Sequence, residues 1–354
     1  MDYMTLAFRL AKKADPYPNP RVGAVIVNNG KIIGQGYHRK AGMPHAEIEA
    51  MADAKMKGHS LKGATLYVSL EPCSHTNKRT PPCTEAIAKA KIGKVVYGMD
   101  DPNPFVSGAK MLRNAGIAVK GPVAQKKAEA INKRYIERIT RKPFVAIKMA
   151  MTADGRTATR TGDSKWISCK ESRDFVHRLR AGYDAVMIGA GTVRKDNPRL
   201  TARGKGRDPL RIIVDGRLDL PQSCHLLRNR DGKTIIATTE KPSRKKIERI
   251  AKESAAHVFV CGKKQVDLSS LIKVLGAMGV NKILIEGGSE MNASAIDARI
   301  VDKIYLFIAP KIIGGKDAKG VIGGKGMAKI SEAKKLKGMK ISRIGKDFLL
   351  EGDF

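Results

Sequence analysis

His45-Ala46-Glu47, followed downstream by Pro72-Cys73 and Pro82-Cys83, supplies one imidazole, one carboxylate and two thiols. A zinc enzyme that deaminates a nucleobase-like ring needs these groups. His45, Cys73 and Cys83 as protein ligands leave zinc's fourth tetrahedral position to water, which marks a catalytic rather than a structural site. Zinc lowers the pKa of that water toward neutrality and so provides a nucleophile for an electron-poor ring carbon. Glu47 lies two residues from His45, close enough to share the site without ligating. It is the candidate catalytic residue, taking a proton from the water and delivering protons to ring nitrogen and leaving ammonia. Cys83 follows Pro81-Pro82 at the expected first turn of a helix, where proline is tolerated and the helix N-terminus favours a thiolate. H-x-E alone is a weak signal, because a histidine at a helix start is ordinary. With both Pro-Cys steps in this order it becomes specific.

Alternating strands and helices must hold these groups. Residues 22–38 carry two apolar runs, VGAVIV and IIGQGYH, meeting near Asn29-Gly30, a strong hairpin signal. A helix is expected from about His45 to Lys57, a strand at 64–70, a helix through TEAIAKAK, and a strand at 94–99. A helix at MLRNAG and a strand at IAVKG complete an α/β layered domain ending near residue 120. The start of the chain, MDYMTLAFRLAKKA, reads as an amphipathic helix. Residues 124–142 read as a charged helix suited to a linker, closed by Pro143. Buried-strand candidates then recur at FVAIKMAM, 185–190, 210–216, 233–239, 257–262, 282–288 and 303–310, with helical patterns between most of them. The division expected is a deaminase domain over 1–143 and a second α/β domain over 144–354. KIIGGKDAKGVIGGKGMAK (311–329) reads as a Gly/Lys-rich loop.

Composition limits the alternatives. A hydrophobic content of 42% supports two cores. No stretch approaches the roughly 18 apolar residues of a membrane helix, and no signal peptide is evident, so the expectation is a cytoplasmic protein without a membrane partner. Five cysteines, an odd number, argue against a disulfide framework; Cys169, Cys224 and Cys261 lack ligand spacing and read as inert. Net charge is +33, yet residues 1–143 hold 25 Lys/Arg against 11 Asp/Glu and residues 144–354 hold 42 against 23. That is an even coat rather than a nucleic-acid patch, and aromatics at 5% are too few for a base-stacking platform.

In the second half, KILIEGGSEMNASAID reads as a strand ending in Glu286, then Gly287-Gly288, then a helix opening at Ser289. Its N-terminal N–H groups could receive phosphate. GAGTV (189–193) is a poor dinucleotide fingerprint because Arg194 stands where glycine is needed. Arg173, His177 and Arg180 fall on one helical face, which is either a solvated basic stripe or part of a site. Residues alone therefore reach a zinc deaminase joined to a second α/β domain with a phosphate-binding loop.

H-A-E with L-E-P-C and T-P-P-C resembles the cytidine-deaminase-like superfamily, whose signature is H-x-E followed by P-C-x-x-C. Here nine residues, SHTNKRTPP, separate the cysteines. This long form, with PNPRVGAVIV (18–27), GQGYH (34–38), AGMPHAE (41–47) and DDPNP (100–104), is similar to the deaminase half of the bifunctional riboflavin-biosynthesis deaminase/reductases. The gap is one residue longer than the family's usual one, with the extra residue around Asn77–Arg79. KMAMTADGRTA (148–158), TGDSKWIS (161–168), DAVMIGAGTVRKDNPRLTAR (184–203) and RIIVDG (211–216) resemble the reductase half, in order.

The resemblance implies an N-terminal cytidine-deaminase-like α/β/α layered domain followed by a dihydrofolate-reductase-like α/β domain, with Zn2+ and NADPH as cofactors. It implies Asn19 and His38 as deaminase substrate contacts, with His75 a further pocket candidate. NADPH contacts would be Ala150, Trp166, Thr192, Asp196, Gly216 (often Ser in the family), Gly288, Ser289, Glu290, Met291, Asn292, Ala293 and Ser294. Reductase substrate contacts would be Ser164, Arg180, Leu200, Arg203 and Glu286, with Lys148 and Asp196 near the reacting sugar. Trp166, the only tryptophan, could otherwise be a core anchor. The implied partner is a small pyrimidine ribotide phosphate, 2,5-diamino-6-ribosylamino-4(3H)-pyrimidinone 5′-phosphate. Its deamination and NADPH-dependent reduction would give 5-amino-6-ribitylamino-uracil 5′-phosphate. Homo-oligomerisation is left open. The rival readings are a zinc deaminase acting on bases in nucleic acid, with a C-terminal domain of other function, and a non-catalytic binding or scaffold protein.

Overall fold

The computed structural model describes residues 2–74 and 81–354. His75 and the extra residue around Asn77–Arg79 lie outside the described residues. The chain forms two compact units, Met1–Arg141 with Ala277–Gly279, and Lys142–Gly276 with Val280–Phe354. Among the described residues no helix is long and apolar enough to cross a membrane.

The first unit runs α1 (Tyr3–Ala11), β1 (Gly23–Asn28), β2 (Lys31–Tyr37), α2 (Ala46–Met56), β3 (Thr65–Val68), α3 (Cys83–Lys89), β4 (Lys94–Tyr97), α4 (Gly108–Asn114), β5 (Ala118–Lys120) and α5 (Gln125–Thr140). Its sheet has the order β2-β1-β3-β4-β5, antiparallel around β1 and parallel from β3 to β5. Asn29 and Gly30 both take positive φ, as the Asn-Gly hairpin signal requires. Pairing puts Ala24 opposite Gly36 and Ile26 opposite Gly34, so these glycines share one face of the sheet. A Cβ on Gly36 would lie 2.4 Å from the Ala50 nitrogen, and one on Gly34 would lie 2.3 Å from the Ala50 oxygen. Helix α2 therefore packs with its backbone almost on β2. Gly23, one residue out of phase with Ala24, meets Ala7 and Ala11 of α1 instead. The two helices lie on opposite faces, and the three-layer arrangement follows from strand alternation. Helix α5 is not a free linker. Ala128 is buried in the core of this unit, and Asn132 exchanges hydrogen bonds with the Arg21 backbone.

The second unit runs β6 (Phe144–Thr152), α6 (Lys170–Ala181), β7 (Ala185–Gly189), α7 (Ala190–Asp196), β8 (Leu210–Val214), α8 (His225–Arg228), β9 (Thr234–Thr238), α9 (Arg244–Ser254), β10 (His257–Val260), α10 (Leu268–Ala277), β11 (Lys282–Ile285), α11 (Ser289–Asp297), β12 (Lys303–Ala309), β13 (Lys337–Ile344) and β14 (Asp347–Asp353). Its nine strands have the order β10-β9-β8-β7-β11-β6-β12-β14-β13, parallel from β10 to β12 and antiparallel across the last hairpin. Alternate residues feed two cores. Val145, Ile147, Ile212 and Ile283 pack toward Leu271 and Ala295, whereas Ala146, Ile213 and Leu284 pack toward Leu226 and Ile250. Strands buried on both faces read as continuous apolar runs, which made them legible. Two details differ from the sequence reading. Strand β11 ends at Ile285, so Glu286 is the first loop residue, and the β13–β14 hairpin had no counterpart. The lysine-rich β13 is exposed along most of its length, so no buried period announces it.

Connections set the location of a ligand cleft. The chain proceeds outward from β7 through β8 and β9 to β10, whereas β11 connects to β12 on the other side of β6. Helices α7 and α11 therefore diverge from adjacent strands, a topological switch point at the carboxyl ends of the sheet.

Replacing Gly36 by alanine forces apart the α2–β2 contact that carries His45 and Glu47. The expected outcome is a loss of about 1–3 kcal/mol in unfolding free energy, as for other overpacked cores. Chemical denaturation of the wild type and Gly36→Ala, with bound zinc measured in each, checks it.

Candidate functional site

In the first unit, three element starts or ends converge. His45 is the residue before α2, with extended backbone, and Glu47 lies in that helix's first turn, 3% exposed. Cys83 opens α3, and Cys73 sits in the turn after β3. The His45 Nδ1 atom is 3.2 Å from Cys83 Sγ and 3.4 Å from Cys73 Sγ, and one ligand atom from each residue lies within 4.8 Å of the others. Neighbouring ligand atoms around a tetrahedral zinc are separated by roughly 3.5 Å, given Zn–S and Zn–N bonds of about 2.3 and 2.0 Å. One imidazole and two thiols at this spacing fit zinc.

Electrostatics agree with a metal-ready site. The Cys83 thiol donates to Cys73, and the Cys83 backbone N–H points at the same sulfur from 3.4 Å. These bonds, with the His45 imidazole, hold the Cys73 thiol down to about 3 against the opposing effect of burial. The Cys83 thiol is pushed up, first by donating to Cys73 and then by burial and the nearby Glu47 carboxylate. Burial raises Glu47, partly offset by His45. A carboxyl held in this way is suited to carrying a proton rather than a permanent charge.

Asn19 and His38 lie beside the cluster. The His38 and His45 rings meet edge-on at 5.2 Å between centroids. Asn19 Nδ2 is 3.0 Å from His38 Nε2, and His38 Nδ1 is 3.0 Å from the Pro44 carbonyl. A carbonyl can only accept, so Nδ1 carries the proton and Nε2 accepts from the Asn19 amide. Glu71, in the L-E-P-C segment, carried no expectation of its own. Its carboxylate accepts from Ala109 N at 2.8 Å and Asp101 N at 3.3 Å, tying the Cys73 turn to α4 and the D-D-P-N-P loop.

In the second unit, Arg180 on α6 and Glu286 after β11 form a two-pronged ion pair. Nε lies 2.5 Å from Oε1 and Nη2 lies 3.0 Å from Oε2, with side chains only 13% and 9% exposed. Arg180 also donates to the Thr201 carbonyl, 3.0 Å away, and His177 Nδ1 lies 3.3 Å from that oxygen. Lys148 on β6 is enclosed beside them. Burial lowers its pKa, Glu286 opposes that, and Arg180 adds to it. Burial lowers His177 too, followed by the charges of Arg180 and Arg203. Arg180 and His177 are thus not a solvated stripe. Arg173 stacks over the Trp166 ring at 4.6 Å. Trp166 is 62% exposed, which removes the core-anchor reading.

The remaining candidates divide. Thr192 faces Gly288 across α7 and α11, and a Cβ on Gly287 would lie 2.5 Å from that of Met291, so glycine is needed for the chain to turn into α11. Met291 and Ser294 line a cavity of about 1000 Å³ together with Gly216. Glu290 and Ala293 instead meet Gly323 and Gly324, Ser289 accepts from Gly323 N, and Asn292 donates to the Val321 carbonyl, so the Gly/Lys-rich loop covers that face of α11. Ser164 receives the Lys195 ammonium at 3.4 Å. Ala150 packs at the edge of the Val176–Phe307 cluster. The Leu200 side chain is buried in the core, while Arg203 is exposed. Asp196 Oδ1, Asp215 Oδ2 and Asn292 Oδ1 are buried without a hydrogen-bond partner. Of these, Asp215 lines the cavity, and an orphaned acceptor there fits a polyhydroxylated ligand such as NADPH.

Residues 143–350 match the family described as RibD C-terminal domain, and residues 1–99 match the cytidine and deoxycytidylate deaminase zinc-binding region. Riboflavin biosynthesis protein RibD of Actinobacillus pleuropneumoniae is 42% identical over 360 residues, covering 99% of this chain and 94% of that protein. Its namesake from Aquifex aeolicus is 43% identical over 357 residues, covering 99% and 97%. Among solved structures, Acinetobacter baumannii RibD, form 1, superposes with a TM-score of 0.54 at 32% identity, covering 99% of this chain and 97% of that one. With both units matched, the chain belongs to the RibD family, the bifunctional zinc-dependent deaminases and NADPH-dependent reductases of riboflavin biosynthesis.

Proposed function

We propose that the first unit hydrolytically deaminates 2,5-diamino-6-ribosylamino-4(3H)-pyrimidinone 5′-phosphate. The second unit then reduces the ribosyl side chain with NADPH to give 5-amino-6-ribitylamino-uracil 5′-phosphate. The observation that carries this reading is the His45, Cys73 and Cys83 cluster beside the buried Glu47, on a chain with a second, separate cluster of Arg180, Glu286 and Lys148. The partner is a small ribotide rather than nucleic acid or membrane, and the assigned location is cytoplasmic, with which Cys169, Cys224 and Cys261 as free thiols agree.

His45, Cys73 and Cys83 would hold zinc, which when bound supplies a Lewis acid that makes water nucleophilic near neutral pH. Glu47 takes one proton from the attacking water and gives it to the ring nitrogen, then carries the second, from the hydroxyl so formed on the ring carbon, to the departing ammonia. Asn19 and His38 orient the ring. His38 fixes the Asn19 amide by accepting from its nitrogen, which leaves the amide oxygen to accept an N–H from the pyrimidine. In the second unit NADPH, when bound beside α7 and α11, supplies the hydride. Lys148 is enclosed and held below its ordinary pKa, which suits it to give a proton to the sugar oxygen as the C1′ carbon is reduced. Arg180 and Arg203 are the arginines suited to the substrate phosphate, and Glu286 keeps Arg180 in place.

Three outcomes are expected. With the diaminopyrimidine ribotide, zinc-replete protein should release ammonia and then oxidise NADPH, the two being measured separately. Ammonia without NADPH consumption would sink the second activity, and neither would sink both. Glu47→Gln should lower ammonia release by roughly 10²–10⁴-fold, the usual range for a lost acid–base group, while metal analysis finds zinc retained. Full activity in that variant would point to a binding or scaffold role. Lys148→Met should lower NADPH oxidation by roughly 10²-fold or more in single-turnover assays, with ammonia release unchanged.

A further inference from the structure

The cavity of about 1000 Å³ in the second unit extends from α7 and α11 outward over the carboxyl ends of β8, β9 and β10. Lys148 on β6 and Glu286 after β11, the residues assigned above to the reduction, do not line this cavity and belong to strands inward of it in the sheet order. A dinucleotide with its reacting ring there must run outward, so its adenosine lies two to three strand spacings away, about 10–15 Å, over β8 and β9.

Three successive loops at that outer end each place a cation on the cavity wall: Arg217 after β8, Lys241 after β9 and Lys264 after β10. No carboxylate forms an ion pair with any of the three among the described residues. Two of the acids that line the cavity are already engaged. Asp219 pairs with Lys246 at 3.0 Å, and Asp267 accepts from Ser269 N, Ser270 N and the Ser270 hydroxyl at the start of α10. Asp215 is different. It lines the same cavity and is 4% exposed, its Oδ1 accepts from Arg217 N at 3.2 Å, and its Oδ2 is buried with no hydrogen-bond partner. An acidic residue at the end of such a strand suits a ribose hydroxyl and on its own would favour the unphosphorylated nucleotide. Three free cations around it reverse that preference, because a phosphate monoester carries nearly two negative charges.

We propose that Arg217 and Lys241, with Lys264 on the adjoining wall, seat the phosphate on the adenosine ribose and so select NADPH over NADH. This rests on the second unit being an NADPH-dependent reductase. Neither GAGTV nor the 288–294 segment would carry this discrimination, since the backbone there would meet phosphates that both dinucleotides share.

The test is calorimetric titration of the intact chain with NADP+ and, separately, NAD+. Wild type is expected to bind NADP+ more tightly. In the Arg217→Ala/Lys241→Ala double variant the NADP+ dissociation constant should rise by at least about 30-fold, from the loss of charge-assisted hydrogen bonds. The NAD+ constant should stay within about threefold, which also reports that the fold is intact. Adenosine 2′,5′-bisphosphate should compete for the wild type and lose that ability in the variant. Equal weakening of both dinucleotides, or unaltered NADP+ binding, overturns the inference while leaving the reductase reading in place. A wild type that binds neither dinucleotide overturns both.

Discussion

Helix N-termini stand at the ends of strands in both units, and each proposed chemistry uses the partial positive charge found there. In the first unit, His45 and Cys83 occupy the starts of α2 and α3, and a backbone N–H of α3 points at the Cys73 sulfur. In the second, α7 and α11 start from adjacent parallel strands and open a cleft between them. Orphan N–H groups at a helix start favour thiolate or phosphate without any charged side chain. The constraint is steric as much as electrostatic. Helix α2 can bring His45 to the two sulfurs only because Gly34 and Gly36 let its backbone sit on β2, and α11 can turn from β11 only because Gly287 has no side chain.

The two buried carboxylates at these sites face opposite problems. Among the described residues no arginine or lysine forms an ion pair with Glu47, and burial raises its pKa, with His45 the main opposing influence. Such a group can change protonation state during a reaction. Glu286 is held below its ordinary range despite burial, because Arg180 grips both oxygens and Lys148 lies close by. Its charge is fixed. The first suits a proton carrier and the second a positioning anion, and the difference comes from the neighbours rather than from the residue type.

Much of this arrangement was legible in the sequence because it depends on local rules. The Asn29-Gly30 turn, the Pro-Cys step into α3 and the glycine step into α11 are each set by a few adjacent residues. The parallel strands of the second unit were legible as continuous apolar runs. What escaped depends on distant residues or on surface strands. Nothing local marks β13, whose side chains are mostly exposed. Nothing in L-E-P-C says that Glu71 will cap backbone N–H groups at 101 and 109. The face of α6 could be assigned a register but not a fate, because Glu286, over a hundred residues away, decides whether Arg180 is solvated or clamped. Helix α5 looked like a linker because it is highly charged, yet Ala128 and Asn132 anchor it to the first unit. Arg217, Lys241 and Lys264 are spaced too widely in sequence to suggest one wall. Only the order of β8, β9 and β10 brings them together.

The net charge of +33 gains meaning from the same distinction. With 67 basic residues against 34 acidic ones, many cations have no carboxylate to pair with. Most pairs that do form, such as Arg244–Glu248 and Lys133–Glu137, are exposed and contribute little to stability. Arg180–Glu286 is an exception, and it sits at a proposed site rather than in the structural core. The excess charge therefore does not stabilise the fold, and mutual repulsion among so many cations opposes compaction. Its physical consequence is a field that concentrates anions near the surface and speeds their encounter. A phosphorylated ribotide and a phosphorylated dinucleotide both respond to that field. In the proposed scheme binding would then depend on a few placed cations, Arg180 and the cavity-lining Arg217, Lys241 and Lys264.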